Sequence, residues 1–345
     1  EHLLEFMGRE SKLTQQLHDM ARTETQRIVF AEGAHPSMMK AAVQAKEEGI
    51  CQPILLGNDE IISKLAGELG LSLEGIEVVN LRHPNERERR QRYARILADK
   101  RQREGYTIEE ASDKMYERNY FGMMMVECGD ADAFITGTYT NYNEAIQIAK
   151  DVIGIRPEYK HFGAMHIVST KKGTFYLADT LVNRKPDDET LVDIARLSVH
   201  TVNFFAQDPV MAMISYSNFG SDNQGSPAQV HSAVQKLHAQ YPDIIVDGEM
   251  QLNFAMDKRL RDSTFPFSKL NGKDVNTLIF PNLSAANSAY KLLLEMGVNE
   301  SVGPIQMGLN KPIHFTDIES SPRDIVNLTT VAVIDAIVDE KLHNK

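Results

Sequence analysis

The chain predicts an α/β fold with mostly parallel strands. Three observations predict it. Short apolar segments alternate with amphipathic helical ones: RIVFAE (27–32) precedes MMKAAVQAKEEG, QPILLGN (52–58) precedes IISKLAGELG, and IEVVNL (76–81) continues the series. RIVF is an unbroken apolar run after its Arg, as in a short buried strand. The punctuation agrees: Pro36 suits a first helical turn, Gly49 a C-cap, and Gly57-Asn58 the close of the second strand.

The alternation then continues. An Arg-rich charged helix is expected over 85–103. TIEEA (107–111) carries an N-cap Thr107 with Glu110 at N3, a capping box that opens the next helix. YFGMMMVECGDADAFITG (120–137) reads as a buried helix, a Gly-Asp turn and a core strand, with Met123, Met124 and Met125 in the core. Strand segments GAMHIV and TFYLAD follow, then the helix DDETLVDIARLSVHTVNFFA, the strand VMAMISYS and the helix PAQVHSAVQKLHAQ. IIVDGEM, VNTLIFPNL, the helix SAANSAYKLLLEMG and a final helix from PRDIV complete the chain. That last helix is apolar over more than one core stripe across 325–338. One face is therefore expected to pack on a second copy, giving a homodimer or larger oligomer.

A length of 345 residues allows two compact domains. Residues 1–25 form a polar helical stretch expected to link to an upstream domain. The opening without Met reads as a piece cut from a longer polypeptide, or as a processed one. Residues 26–160 with 305–345 are expected to form one α/β domain and 161–304 the other. The crossings fall near Arg156-Pro157-Glu158 and Gly303.

Forty-eight acids against 37 bases give a net charge of −11, which argues against nucleic acid and anionic membranes as partners. It leaves room for one local basic pocket. Cys51 and Cys128 are far apart and read as reduced thiols. No CxxC or HExxH pattern suggests a metal, no apolar run approaches a bilayer span, and no signal peptide is visible. A cytoplasmic protein is expected.

Two segments could carry chemistry. SYSNFGSDNQGS joins a strand to a helix through small residues, a setting where backbone N–H groups meet phosphates. Its candidate ligand contacts are Ser215, Ser217, Asn218, Gly220 and Ser221, although a plain Gly/Ser loop reads the same way. The second is GPIQMGLNKPIHFTDIESSPRDIVNL (303–328), with Asn310, Lys311, His314 and Asp324 as candidates and Lys311 as the cation for a phosphate. His314 reads equally as a hydrogen-bonded structural residue, and Asp324 as a first-turn helix acid. Arg101, in KRQREG, is either a phosphate ligand or part of a solvated basic face.

These blocks resemble the phosphotransacetylase family. FAEG (30–33), YFGMMMVECGDADAFITG (120–137), DGEMQL (247–252), LIFPNLSAANSAYKLL (278–293) and GPIQMGLNKP (303–312) match it in order. LADTLVN (177–183), SYSNFGS (215–221) and KPIHF (311–315) look most like the phosphotransacetylase-like C-terminal domain of bacterial NADP-dependent malic enzymes. The resemblance implies two α/β domains with a ligand cleft between them, and a dimer. It also marks departures. Stand-alone enzymes carry Lys where Phe219 stands. They use a Ser-Arg pair where this chain has Asp317 and Ile318, and a further arginine where it has Gln147. Acyl transfer needs guanidinium groups for the phosphate and a donor for developing charge.

Asp324 and Arg101 therefore look like remnants of a catalytic site that no longer turns over. The resemblance implies a domain that binds acetyl-CoA, or a related acyl-CoA, as an allosteric effector of a fused malic enzyme. The full-length protein would convert malate and NADP to pyruvate, CO2 and NADPH. NADP and a divalent metal would belong to the malic domain, not to this segment. The alternatives are an active phosphate acetyltransferase, which passes acetyl between coenzyme A and phosphate, and a scaffold that has lost its ligand.

Overall fold

The computed structural model describes residues 12–298 and 300–343. The chain divides into two compact units, one running to Gly154 and resuming at Leu309, the other comprising Ile155–Gly308.

The first unit is built on a five-stranded, all-parallel sheet. Its strands are β1 (Arg27–Phe30), β2 (Gln52–Leu56), β3 (Glu77–Val79), β4 (Ala133–Thr136) and β11 (Ile313–Phe315), in the order β11-β4-β1-β2-β3. Ile28, Val29, Phe30, Phe134 and Ile135 are fully buried, the pattern of strands covered on both faces. The covering helices in chain order are α1 (Lys12–Ala21), α2 (Pro36–Glu47), α3 (Asp59–Leu69), α4 (Arg87–Arg101), α5 (Ile108–Lys114), α6 (Arg118–Glu127) and α7 (Tyr142–Val152).

Local chemistry fixes their ends. Pro36 opens α2 behind the N-cap His35, whose ring nitrogen accepts from Ser37 N–H. Asn58 caps α3, and Gly70 closes it in the left-handed region. Thr107 and Glu110 form the expected capping box at α5. Helix α6 lies so close to β4 that a Cβ at Gly122 would stand 2.3 Å from Phe134 Cε2.

The C-terminal helix α13 (Pro322–His343) belongs to this unit and packs on α1, α2, β1, β4 and β11. Ile325, Val326, Leu328, Val331, Val333, Ile334 and Ile337 are all buried there. Its wide apolar girth is thus covered inside the unit and no longer argues for a second copy. From Lys12 onward the N-terminal segment docks on this chain's own C-terminal helix, with Leu17 and Ala21 buried. The rest of the stretch read as a linker lies outside the described residues.

The second unit carries a six-stranded mixed sheet. Its strands are β5 (Gly163–Thr170), β6 (Gly173–Ala178), β7 (Met211–Ile214), β8 (Val246–Met250), β9 (Thr277–Ile279) and β10 (Glu300–Met307), in the order β10-β5-β6-β9-β7-β8. β6, β9, β7 and β8 are parallel, whereas β5 pairs antiparallel with both β6 and β10. The two-residue Lys171-Lys172 connection makes β5 and β6 a hairpin. Strand β10 was not expected, because Gly303 and Pro304 interrupt it. The structure accommodates them at a register shift on the sheet edge, where a missing N–H costs little. Helices α8 (Asp188–Phe204), α9 (Gly225–Gln240), α10 (Leu252–Met256), α11 (Lys258–Thr264) and α12 (Leu283–Glu295) complete the unit. No described helix is long and apolar enough to cross a membrane.

Candidate functional site

The 215–221 loop leaves the carboxyl end of β7 and leads to α9. Its anchor is a carboxylate. Glu249, on β8 and completely buried, accepts the Gly220 N–H and the Ser217 hydroxyl, the latter at 3.3 Å, on Oε1. His231 Nδ1 stands 3.1 Å from Oε2. The loop amides are also committed. Asn218 N–H donates to Ser221 Oγ at 3.1 Å, Phe219 N–H to the Glu249 carbonyl at 2.8 Å, and Ser221 N–H to the Asn218 carbonyl at 3.1 Å. Asp222 N–H donates to Ser217 Oγ at 2.9 Å; Asn218 Nδ2 donates to Gln251 Oε1, and its Oδ1 accepts the Gln251 main-chain N–H. The backbone N–H cradle expected for a phosphate is therefore already filled by protein acceptors. A ligand here would meet the exposed Gly220 and Ser221 and the half-buried Asn218, while Ser215 and Ser217 are buried.

Phe219 holds φ at +47°, an uncommon conformation for a residue with a side chain. Its ring sits edge-on to Phe265 and Phe267, each with centroids 4.9 Å away. Gly220 follows at φ +84°. The loop is thus a rigid, internally bonded turn flanked by aromatic rings.

The C-terminal candidates are placed differently. Lys311 precedes β11, at the amino edge of the parallel sheet, and pairs with Asp339 of α13 at 3.1 Å. The depression around it, 390 Å³ in volume, is ringed by Asp132, Asp339 and Glu340. Ligands of parallel α/β sheets gather at the opposite, carboxyl edge. Asp132 is itself paired with Arg27 at 2.7 Å, and Lys311 is engaged by Asp339 beside Glu340, a setting unfavourable to a phosphate. His314 is completely buried with Nε2 2.9 Å from Asp335, and acts as a tie between β11 and α13.

Asn310 is exposed and donates its N–H to the Gly154 carbonyl at 3.0 Å. Asp317 and Ile318 occupy the exposed turn between β11 and α13. Asp324 sits in the first turn of α13. Its carboxylate takes the N–H and hydroxyl of Ser321, at 2.9 and 2.6 Å, and its own N–H returns to Ser321 Oγ. That reciprocal pair is a capping arrangement and accounts for Asp324 without a ligand.

Arg101 is also consumed. Its Nε donates to the Asp151 carbonyl at 2.6 Å, another nitrogen donates to the Lys150 carbonyl, and Nη1 pairs with Glu104 at 2.7 Å. Together with Lys100, which donates to the Val152 carbonyl at 2.7 Å, it closes the carboxyl end of α7. Gln147 projects from the exposed face of the same helix.

A polar cluster that sequence reasoning missed lies at the carboxyl end of the five-stranded sheet. Glu32, just beyond β1 and buried, accepts from Thr136 Oγ1 at 2.8 Å, Gly137 N–H at 3.2 Å and Thr140 Oγ1 at 3.3 Å. Asn119 links Thr136 to Thr140. Arg118 Nη2 stands 3.8 Å from the Glu32 carboxylate, and burial lowers the pKa of nearby His35. Gly137 is required here: its φ is +134°, and a Cβ would lie 2.1 Å from the Thr316 carbonyl oxygen. The FAEG and ITG segments carried the signal, a glycine after each strand end with an acid beside the first. Among the described residues no group of three or more His, Cys, Asp or Glu could hold a metal ion.

Two α/β units, one on an all-parallel sheet and one on a mixed sheet, define a phosphotransacetylase-type fold. The phosphotransacetylase of Streptococcus pyogenes superimposes with a TM-score of 0.87 at 26% identity, covering 96% of this chain and all of that one. The phosphate acetyl/butaryl transferase family model matches residues 12–333, and the chain belongs to that family. It is 33% identical to the NADP-dependent malic enzyme of Salmonella typhimurium over 97% of its own length. It spans 44% of that relative. It is also 30% identical to the phosphate acetyltransferase of Thermoanaerobacterium thermosaccharolyticum, covering 94% of this chain and 99% of the relative.

Proposed function

We propose that the chain is a regulatory acyl-CoA-binding domain, built on a phosphotransacetylase scaffold and without acetyltransferase turnover. It serves a malic enzyme in which it forms the C-terminal part. One observation carries the reading: within a fold that superimposes on a phosphotransacetylase, Asp317 and Ile318 stand where the Ser-Arg pair is expected. A carboxylate at that position repels a transferring phosphoryl group, and an isoleucine offers it no donor. The engagement of Arg101 at the end of α7 supports the same reading. Acetyl-CoA is the effector expected on metabolic grounds, as a product downstream of pyruvate. It would contact the 215–221 loop through Asn218 and Gly220. Its effect on malate oxidation would arise from different affinities for two states of the assembled enzyme, taken to be a homodimer or larger.

The active phosphate acetyltransferase remains the second reading, because the match to a stand-alone enzyme extends over 99% of that relative. One experiment separates the two. The chain is incubated with acetyl phosphate and coenzyme A, and thioester formation is followed by ultraviolet absorbance. No turnover is expected, together with a rise in melting temperature on adding acetyl-CoA. Turnover on the order of 1 per second would establish the enzyme instead. A flat melting temperature at acetyl-CoA concentrations of about 1 mM would end the regulatory reading.

A further inference from the structure

The first unit holds a second candidate, apart from the 215–221 loop. A depression of 760 Å³ opens over the carboxyl ends of β2, β3 and β4. Its size falls in the range of small-molecule sites. Three kinds of chemistry line it.

Two aromatic rings come first. Tyr116 is 46% and Tyr139 60% exposed, and each has a cation near its ring. The Arg90 guanidinium lies 4.8 Å from the Tyr116 centroid, and Arg118 lies 5.9 Å from that of Tyr139. His35 props Tyr139 edge-on at 4.9 Å. An exposed aromatic ring held by a neighbouring cation is a stacking platform for a flat ring.

Two guanidiniums come second. The Arg82 side chain makes no hydrogen bond or ion pair among the described residues. The Arg118 guanidinium lines the same depression, about one-third exposed, with Nη2 3.8 Å from the Glu32 carboxylate. An anionic oxygen in the depression would take charge-assisted hydrogen bonds from these guanidiniums. The exposed carboxylates of Glu117 and Glu144 come third. Two acids beside two arginines do not suit a bare phosphate, but acids accept well from sugar hydroxyls.

We propose that this depression binds a nucleoside phosphate. The base stacks on Tyr116 or Tyr139, the phosphate meets Arg82 and Arg118, and the ribose hydroxyls donate to the flanking carboxylates. That chemistry could arrive as a free nucleotide or as the nucleotide end of a coenzyme.

The test is calorimetric titration of the full chain with ADP, repeated on Arg82→Glu and Tyr139→Ala. Both positions are exposed, and melting curves confirm that the variants fold. ADP is expected to bind, with each substitution weakening it by about 10-fold or more. Adenosine and inorganic phosphate, titrated separately, are expected to bind more weakly than ADP. Acetyl-CoA is then titrated into Arg82→Glu. A parallel loss assigns the pocket to the nucleotide end of the coenzyme, and an unchanged affinity assigns it to a free nucleotide. An ADP response without any acetyl-CoA response would end the effector reading above and leave this site standing. No heat with ADP at about 5 mM, or ADP binding unchanged in both variants, overturns the proposal.

Discussion

Arg101 donates from Nε to the main-chain oxygen of Asp151, 2.6 Å away across 50 residues of sequence. An arginine that sequence alone offers as a phosphate ligand is, in the fold, the cap of another helix. Arg101→Ala leaves the carbonyls of Lys150 and Asp151 without these donors. A stability loss of about 1–2 kcal/mol is expected in urea unfolding. The melting-temperature rise with acetyl-CoA should be unchanged; its disappearance would return Arg101 to the ligand site.

Lys311→Glu tests the amino edge of the sheet. It replaces the partner of Asp339 with a fourth carboxylate beside Asp132, Asp339 and Glu340. With Lys311 about one-third exposed, the expected cost is about 1–2 kcal/mol. The response to acetyl-CoA should survive in the folded variant, whereas Asn218→Ala should weaken it. The reverse pattern would place the ligand at Lys311.

Glu249→Gln loosens the 215–221 loop. Gly220 N–H, Ser217 Oγ and His231 all converge on this one carboxylate, and an amide presents one acceptor where two are used. Faster amide exchange at Gly220 is expected, with a stability loss of about 1–3 kcal/mol. Unaltered exchange at Gly220 would show that the carboxylate does not hold the loop.

Gly122→Ala forces a methyl group to within 2.3 Å of Phe134 Cε2. Overpacking of this kind costs about 1–3 kcal/mol. Adding Phe134→Leu should recover part of the loss by opening space on the strand. Full additivity of the two losses in denaturant unfolding would rule out the contact as the cause.

His166 sets a pH dependence. Its ring stacks on Tyr290 with centroids 3.8 Å apart, and Nδ1 lies 2.8 Å from Thr180 Oγ1. Burial, aided by Lys291, pushes its pKa down to about 3. The unfolded chain takes up this proton near pH 6.5 and the folded chain only near 3, so the unfolded state binds more protons between them. Stability therefore falls as the pH drops below 6.5, by about 2 kcal/mol between pH 7 and 5 from this residue. His166→Gln should flatten the profile over that range; parallel profiles for the two proteins would exclude the effect.

The parallel sheet of the first unit was legible because β1, β2 and β4 are unbroken apolar runs closed by Gly or Gly-Asn. Strands β10 and β11 were not. A Gly-Pro step interrupts one, and the other is three residues long, so neither shows a period. The capping box at Thr107 was readable because both partners lie within four residues. The Glu32–Thr136–Asn119 cluster was not, because Glu32 lies 104 residues from Thr136, and Asn119 a further 17 from it.

The sequence by itself determined the fold class and the family, and it carries the expectation that Asp317 and Ile318 stand at a Ser-Arg position. These depend on local apolar pattern and residue identity. Only the tertiary structure decided what Arg101, Lys311, His314 and Asp324 do. A charged side chain's role is set by the groups within about 4 Å of it. For Arg101, Lys311 and His314 those groups lie 21 to 50 residues away in the chain, at Asp151, Asp339 and Asp335. For Asp324 the group is Ser321, one helical turn back, whose bonds to it form only once α13 has formed.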